Sequence, residues 1–109
     1  MTTLLAMYRR PDGGDEALST FLRLYHAEHL PLVAATPGLR STRVQRVEQA
    51  LGSDTDLVMI TAMEFDDRAA LDAGLASDAM RQAGRNLREI GPGLSMLLVL
   101  EEGAGSAAS

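Results

Sequence analysis

Residues 57–65 read LVMITAMEF and residues 94–100 read LSMLLVL, and these two segments decide the fold that we predict. Each has the length and the apolar content of a buried β-strand. Successive side chains of a strand point to opposite faces of the sheet, and in both segments the two faces are apolar. An antiparallel sheet with one face in water alternates apolar and polar residues, so both faces of this sheet need a cover.

Two further strands are predicted upstream, at Thr3–Tyr8 and Arg40–Glu48. A turn at Leu51–Asp54 separates the second of them from the strand at residues 57–65, so these two form a hairpin. The segment Pro11–Gly14 is a strong turn signal that ends the first strand. The sequence therefore predicts a sheet of four strands.

Two helical regions separate these strands. The first helix starts near Asp15, and its apolar residues follow the spacing i, i+3, i+4, i+7 of a helix with one buried face: Leu18, Phe21, Leu22 and Tyr25. Pro31 is expected to end or kink this helix, because proline lacks the N–H group and clashes with the preceding turn. Asp66 and Asp67 offer a cap for the second region, and Ser77 caps its continuation. The continuation carries its own apolar stripe: Met80, Ala83, Leu87 and Ile90.

The order strand, helix, strand, strand, helix, strand is the ferredoxin-like βαββαβ pattern, an α+β fold with an antiparallel four-stranded sheet. Two helices can cover only one face of such a sheet, and the chain has no further element for the other face. A second copy of the chain is the economical cover, so we expect a homodimer with two-fold symmetry. The alternative is a monomer in which two of the strands are merely central and hydrophobic.

The composition indicates one small soluble domain. Of the 109 residues, we assign 1–102 to this domain and expect the small, polar tail at 103–109 to be flexible. The lack of cysteine excludes disulfides, thiolate metal ligands and thiol nucleophiles. The net charge of -5 argues against nucleic acid as a partner. No apolar run is long enough to span a membrane and no signal-peptide pattern opens the chain, so we expect a cytoplasmic location.

The chain contains two histidines, His26 and His29. His29 projects from the middle of the first helix's apolar stripe, so its imidazole should lie between helix and sheet, with His26 at the flank. Burial disfavours a charged imidazole and a nearby carboxylate favours it, with Glu28 and Glu64 as candidate neighbours. His29 is therefore our candidate catalytic acid or base. The alternative is a core histidine that makes one hydrogen bond and holds the end of the helix.

Other residues could assist a ligand at His29. Tyr25, Tyr8 and His26 are candidates for orienting it by hydrogen bonds. The methionines of the interior, Met59 and Met63 among them, fit an adaptable apolar pocket, although core filling is the plainer interpretation. A metal held by the two histidines lacks an evident third ligand, and nothing marks a haem pocket, so we expect neither a metal nor another cofactor.

The stretch YHAEHLPLV at residues 25–33, followed by the Pro37-Gly38-Leu39 segment and a strand rich in Arg and Val, resembles the EthD family. This family is a branch of the dimeric α+β barrel superfamily. Its pattern of a histidine, then Pro-Leu-Val and then Pro-Gly matches this chain at several positions: His29, Pro31, Leu32, Pro37 and Gly38. Residues 65–80 are also similar to the family.

The resemblance implies a ferredoxin-like protomer, a two-fold dimer and a pocket between helices and sheet, with the family histidine at His29. Members of the superfamily include aromatic polyketide cyclases, a muconolactone isomerase and monooxygenases. Because Trp is absent and Asn86 is the single asparagine, the monooxygenase branch is disfavoured. We therefore expect binding of a compact apolar or aromatic metabolite, with cofactor-free cyclase, isomerase or lyase chemistry if the protein is an enzyme. The alternative is a non-catalytic accessory protein of an oxidative catabolic system, or an oxygenase component.

Overall fold

A single antiparallel sheet with helices packed on one face forms the protein, whose computed structural model describes residues 1–103. The strands are β1 (Thr2–Arg9), β2 (Leu39–Arg46), β3 (Leu57–Phe65) and β4 (Ser95–Leu100). The helices are α1 (Gly14–Leu24), a π-helical segment (Tyr25–His29), α2 (Leu30–Ala34), α3 (Arg68–Leu75) and α4 (Asp78–Ile90). The strands lie in the order β2-β3-β1-β4, and all neighbours are antiparallel.

This arrangement confirms the predicted ferredoxin-like α+β fold. The second helical region begins where the capping residues indicated. The Asp67 carboxylate accepts a hydrogen bond from the backbone N–H of Ala70 at 2.8 Å, and the Ser77 hydroxyl accepts one from Met80 at 3.2 Å. Apart from Gly103, the predicted flexible tail lies outside the described residues.

The first helix departs from the prediction at Pro31. The chain does not leave the helical path there but continues to Ala34, and the irregularity lies one turn earlier, in the π-helical segment. In this segment the N–H of Leu30 bonds to the carbonyl of Tyr25, five residues back. Pro31 then occupies the first turn of α2, where a missing N–H costs little. The wider π turn therefore absorbs the disruption that we expected to end or kink the helix.

The helices cover one face of the sheet. On β1, Leu4, Ala6 and Tyr8 are buried beneath them. The residues of β3 on this face are buried as well: Met59, Thr61, Met63 and Phe65. This face and the inner sides of the helices form the core.

The opposite face carries apolar side chains with no cover from the described residues. In the strand registers, Leu5 of β1 lies beside Ala62 of β3 and Leu98 of β4. Three residues of β4 on this face are between 38% and 48% exposed: Met96, Leu98 and Leu100. The helices thus cover one of the two apolar faces over β1 and β3, as the sequence predicted, but on β4 they leave Leu97 and Val99 of the same face 53% and 42% exposed. We refer to the uncovered side as the back face.

Two helical glycines provide a test of the packing of the helices on the sheet. A Cβ at Gly74 in α3 would lie 2.9 Å from the Phe65 ring and 3.1 Å from the Thr36 methyl, whereas at Gly84 in α4 the nearest neighbour is 3.8 Å away. We expect Gly74→Ala to lower the free energy of unfolding by about 1–3 kcal/mol through overpacking. The matched Gly84→Ala should raise it by roughly 0.4–1 kcal/mol, because alanine restricts the unfolded chain. Urea unfolding measures both, and equal effects would contradict the packing described.

Candidate functional site

The π-helical segment turns two aromatic side chains toward the sheet. Tyr25 is fully buried and His29 is 4% exposed. The centroids of their rings are 5.0 Å apart, with an angle of 37° between the planes. His29 therefore lies between the helices and the sheet, where its spacing along the helix predicted it.

A cavity of about 60 Å³ adjoins His29 between the helices and the sheet. Its wall draws on β1, β3, β4, α2, the π-helical segment and α4, and is formed by Leu4, Tyr8, His29, Val33, Met63, Met80, Ala83, Gly84, Leu87 and Leu97. Among these described residues, only Tyr8 and His29 have polar side chains. Leu97 is 53% exposed, so the β4 side of the cavity lies close to solvent.

The imidazole of His29 is held in its neutral form. Burial lowers its pKa below the ordinary value of 6.5, because a charged ring would lose its hydration. The nearby Asn86 side chain and Ala83 backbone favour the charged ring and oppose this lowering of the pKa without cancelling it. A histidine with a lowered pKa is neutral at pH 7, and its unprotonated nitrogen can accept a proton.

Three hydroxyl groups form a buried chain beside the cavity. The hydroxyl of Tyr25 lies 2.6 Å from Thr61 Oγ1 and 3.0 Å from the hydroxyl of Tyr8. Burial is the main cause that raises the pKa of both tyrosines, so both remain protonated and act as neutral hydrogen-bonding groups. Tyr8 connects this chain to the cavity, because it belongs to both.

The remaining predicted site residues lie at different distances from this cavity. Met63 lines it, and Tyr25 packs against both His29 and Tyr8 without lining it. Met59 is fully buried on the same face of β3 but does not border the cavity. His26 is exposed, and its Nδ1–H donates to the carbonyl of Leu22 at 2.9 Å.

Of the two predicted carboxylate neighbours of His29, neither contacts it directly among the described residues. Glu64 lies on the back face, where Ser41 donates to it at 3.4 Å. Glu28 accepts a hydrogen bond from Asn86. Asn86 was not among the predicted site residues; its one available signal was a position beside Leu87, at the flank of the α4 stripe.

Two larger depressions lie far from the histidine. They have volumes of about 270 and 440 Å³ and flank the end of the β2–β3 hairpin, where Arg46, Glu48 and Gln49 border both. Both are open to solvent, and no buried titratable group lines them. The enclosed apolar cavity at His29 is therefore the better candidate for a ligand site.

Neither a metal cluster nor a membrane helix is found in residues 1–103. No group of three or more His, Asp or Glu side chains is placed there to hold a metal ion. No helix in this range is both long and apolar enough to cross a bilayer.

The fold is ferredoxin-like, and a solved structure of an EthD family protein is similar to it over nearly the whole chain. An EthD family protein from Bacillus halodurans C-125 is 25% identical, over 94% of this chain and 98% of that one, with a TM-score of 0.83. The resemblance to the EthD family stated from the helical motif is thereby confirmed. No family model matches the chain, and no curated protein matches it.

More distant solved structures share the fold. A dimeric ferredoxin-like protein of unknown function from Jannaschia sp. CCS1 is 20% identical over 94% of this chain and 100% of that one, with a TM-score of 0.67. A cofactor-independent oxygenase from Streptomyces nogalater is 19% identical over 98% of this chain and 95% of that one, with a TM-score of 0.58. At these identities the likeness establishes the fold alone.

The lowered pKa of His29 makes the stability of the protein depend on pH. Below about pH 6.5 the unfolded chain binds a proton at this residue more readily than the folded protein does, so the free energy of unfolding falls as the pH falls. We expect His29→Gln to lose this part of the dependence of the free energy of unfolding on pH, between about pH 7 and pH 5. Urea unfolding at a series of pH values measures it. His26→Gln is the matched control at an exposed position, and parallel curves for the parent and His29→Gln would contradict the burial of a neutral ring.

Proposed function

We propose that the protein is a homodimer that binds a compact, largely apolar metabolite in the cavity beside His29. We further propose that His29 acts on this ligand as a general acid or base in a cyclase, isomerase or lyase reaction. The observation that carries the proposal is a buried, neutral imidazole in the wall of an otherwise apolar cavity. Such a combination of an apolar pocket, few polar groups and a shifted pKa is typical of a ligand site.

The size of the cavity favours a small ligand. Its 60 Å³ is well below the roughly 150 Å³ of an engineered cavity that accepts benzene. Met63 of β3 and Met80 of α4 both line it, and unbranched methionine side chains rearrange at low cost. Displacement of these two side chains would enlarge the space toward the β4 side, where Leu97 is half exposed.

The chemistry that fits this site is proton transfer at an enolisable carbon. The unprotonated nitrogen of neutral His29 takes the proton and the C–H electron pair moves into the adjacent carbonyl, which leaves an enolate. Tyr8 can donate a hydrogen bond to the enolate oxygen if Thr61 donates to Tyr25 and Tyr25 to Tyr8. Return of the proton from His29 to another atom completes an isomerisation. No electrons are gained or lost, so the reaction needs no redox cofactor.

The dimer is supported by the back face and by similar structures. An uncovered apolar sheet face is unusual for a monomer, and a second copy with two-fold symmetry would cover it with an identical surface. The exposed residues Met96, Leu98 and Leu100 lie on this face. The structurally similar protein from Jannaschia is itself a dimer of ferredoxin-like chains.

A second candidate is a binding protein without catalytic activity, acting as an accessory to an oxidative system or as a component of an oxygenase. The scarcity of polar groups favours it, since Tyr8 and His29 are the only two among the described lining residues. In that case His29 would only donate a hydrogen bond. Binding without turnover is the result that distinguishes this candidate from the first.

A charge on the back face tests the dimer. We expect the parent to elute as a dimer at low micromolar concentration and Leu98→Arg to elute as a monomer or precipitate, because an unpaired charge would be buried at the interface. Size-exclusion chromatography with light scattering measures the mass. Leu51→Arg is the matched control, at a leucine that is 83% exposed outside the sheet. A soluble, monomeric parent would refute the proposed dimer.

Cyclohexanone, a compact enolisable ketone, tests both binding and catalysis. We expect the protein to accelerate exchange of its α-hydrogens in D₂O, followed by proton NMR, and His29→Gln to lose about 100- to 10,000-fold of this rate. Circular dichroism and light scattering verify that the variant folds and assembles.

Met63→Ala should tighten binding of larger ketones, while Met59→Ala, from the same strand and face, should not. Binding of the ketone without exchange of its hydrogens would favour the accessory protein. Absence of ketone binding to both the parent and Met63→Ala would contradict the site.

A further inference from the structure

Two buried polar atoms near the cavity have no hydrogen-bond partner among the described residues. They are Nδ1 of His29 and Oδ1 of Asn86. Buried polar groups are nearly always paired, because burial without a partner costs free energy. The two atoms are chemically complementary, since a neutral imidazole carries one N–H donor and an amide oxygen only accepts.

Glu28 determines which way the Asn86 amide faces. Asn86 Nδ2 donates to Glu28 Oε1 at 3.0 Å, and a carboxylate can only accept hydrogen bonds. The amide nitrogen must therefore face Glu28. The amide oxygen is left on the other side, where it is buried.

Two polar groups of α4 lie near the His29 ring. The Asn86 side chain and the backbone of Ala83, one turn earlier, lie near the imidazole and favour its protonated form. Besides His29, the titratable side chains packed around the ring are Tyr25, 5.0 Å away between centroids, and Tyr8 across the cavity. Glu28 reaches the ring only through Asn86.

We propose that Asn86, held by Glu28, is a positioning residue that accepts the Nδ1–H of His29 and thereby leaves Nε2 as the basic nitrogen. The partner of one ring nitrogen decides which nitrogen carries the proton in a neutral histidine. A small rotation of the imidazole or the amide would pair the two orphaned atoms. The role of Nε2 as the base rests on the proposed function, whereas the position of the proton does not.

The position of the proton can be read directly from ¹⁵N-labelled protein. Long-range ¹H–¹⁵N correlation spectra, recorded above the pKa of His29, distinguish a protonated Nδ1 from a protonated Nε2. We expect the parent to show protonated Nδ1. Asn86→Leu should shift the population toward protonated Nε2, because the acceptor is gone. Gln82→Leu, at an exposed position of the same helix, is the matched control and should leave the His29 signals unchanged.

An exchange of the two partners provides a variant that keeps the hydrogen bond. In the double variant Glu28→Gln with Asn86→Asp, the new amide donates to the new carboxylate, which then faces His29. We expect Nδ1 to stay protonated and the pKa of His29 to rise above that of the parent, since a carboxylate favours the imidazolium. If Asn86→Leu does not fold, this double variant still tests whether the side chain at position 86 accepts the Nδ1–H of His29.

Two results would overturn the proposal: protonated Nε2 in the parent, or a His29 pKa that the double variant leaves unchanged. Neither depends on turnover, so the proposal can fail or stand independently of the proposed function. If the parent catalyses exchange of cyclohexanone hydrogens, Asn86→Leu should lower kcat by about 10- to 100-fold with a smaller change in KM. A loss confined to KM would contradict a role in positioning the base.

Discussion

Removal of apolar side chains from water on both sides of one sheet is the constraint on which the rest of the structure depends. The four strands present Tyr8, Met59 and Met63 to the helices and Leu5, Ala62 and Leu98 to the back face. Two helical regions are enough for only one of these faces. The shape of the protomer, the place of its cavity and the proposed dimer all follow from that imbalance.

The covered face also explains why polar chemistry is concentrated in one place. Helix and sheet packing leaves little room for polar atoms, and those that enter must find partners nearby. Tyr25 does so through Thr61 and Tyr8, and Asn86 does so through Glu28. The buried side-chain atoms without a completed hydrogen bond within residues 1–103 are His29 Nδ1, Asn86 Oδ1 and Thr36 Oγ1.

The π-helical segment connects the fold to the site. A regular α-helix interrupted by Pro31 would lose a backbone bond in its interior, and the wider turn from Tyr25 to His29 moves the proline into the first turn of α2 instead. The same segment carries both aromatic rings that face the sheet. Single π turns within helices often occur at functional sites, which agrees with the position of this one.

The identity and order of the elements could be predicted from the sequence because the signals are local. The largely apolar run at residues 57–65, the stripe ending at Tyr25 and the caps at Asp67 and Ser77 each depend on neighbours within a few residues. The direction of His29 followed from the same periodicity. Pro31 indicated a disruption of the first helix, and α1 ends at Leu24, but the proline by itself does not indicate that the disruption takes the form of a π turn.

The sequence by itself therefore determined the ferredoxin-like order, the two apolar faces and the burial of His29. Tertiary structure alone decided the size of the cavity and the partners of its polar groups. Glu28 meets Asn86 across 58 residues of chain, and Tyr25 meets Thr61 across 36. The physical reason is that periodicity places a side chain on a face, whereas its neighbours on that face are set by how separate elements pack together.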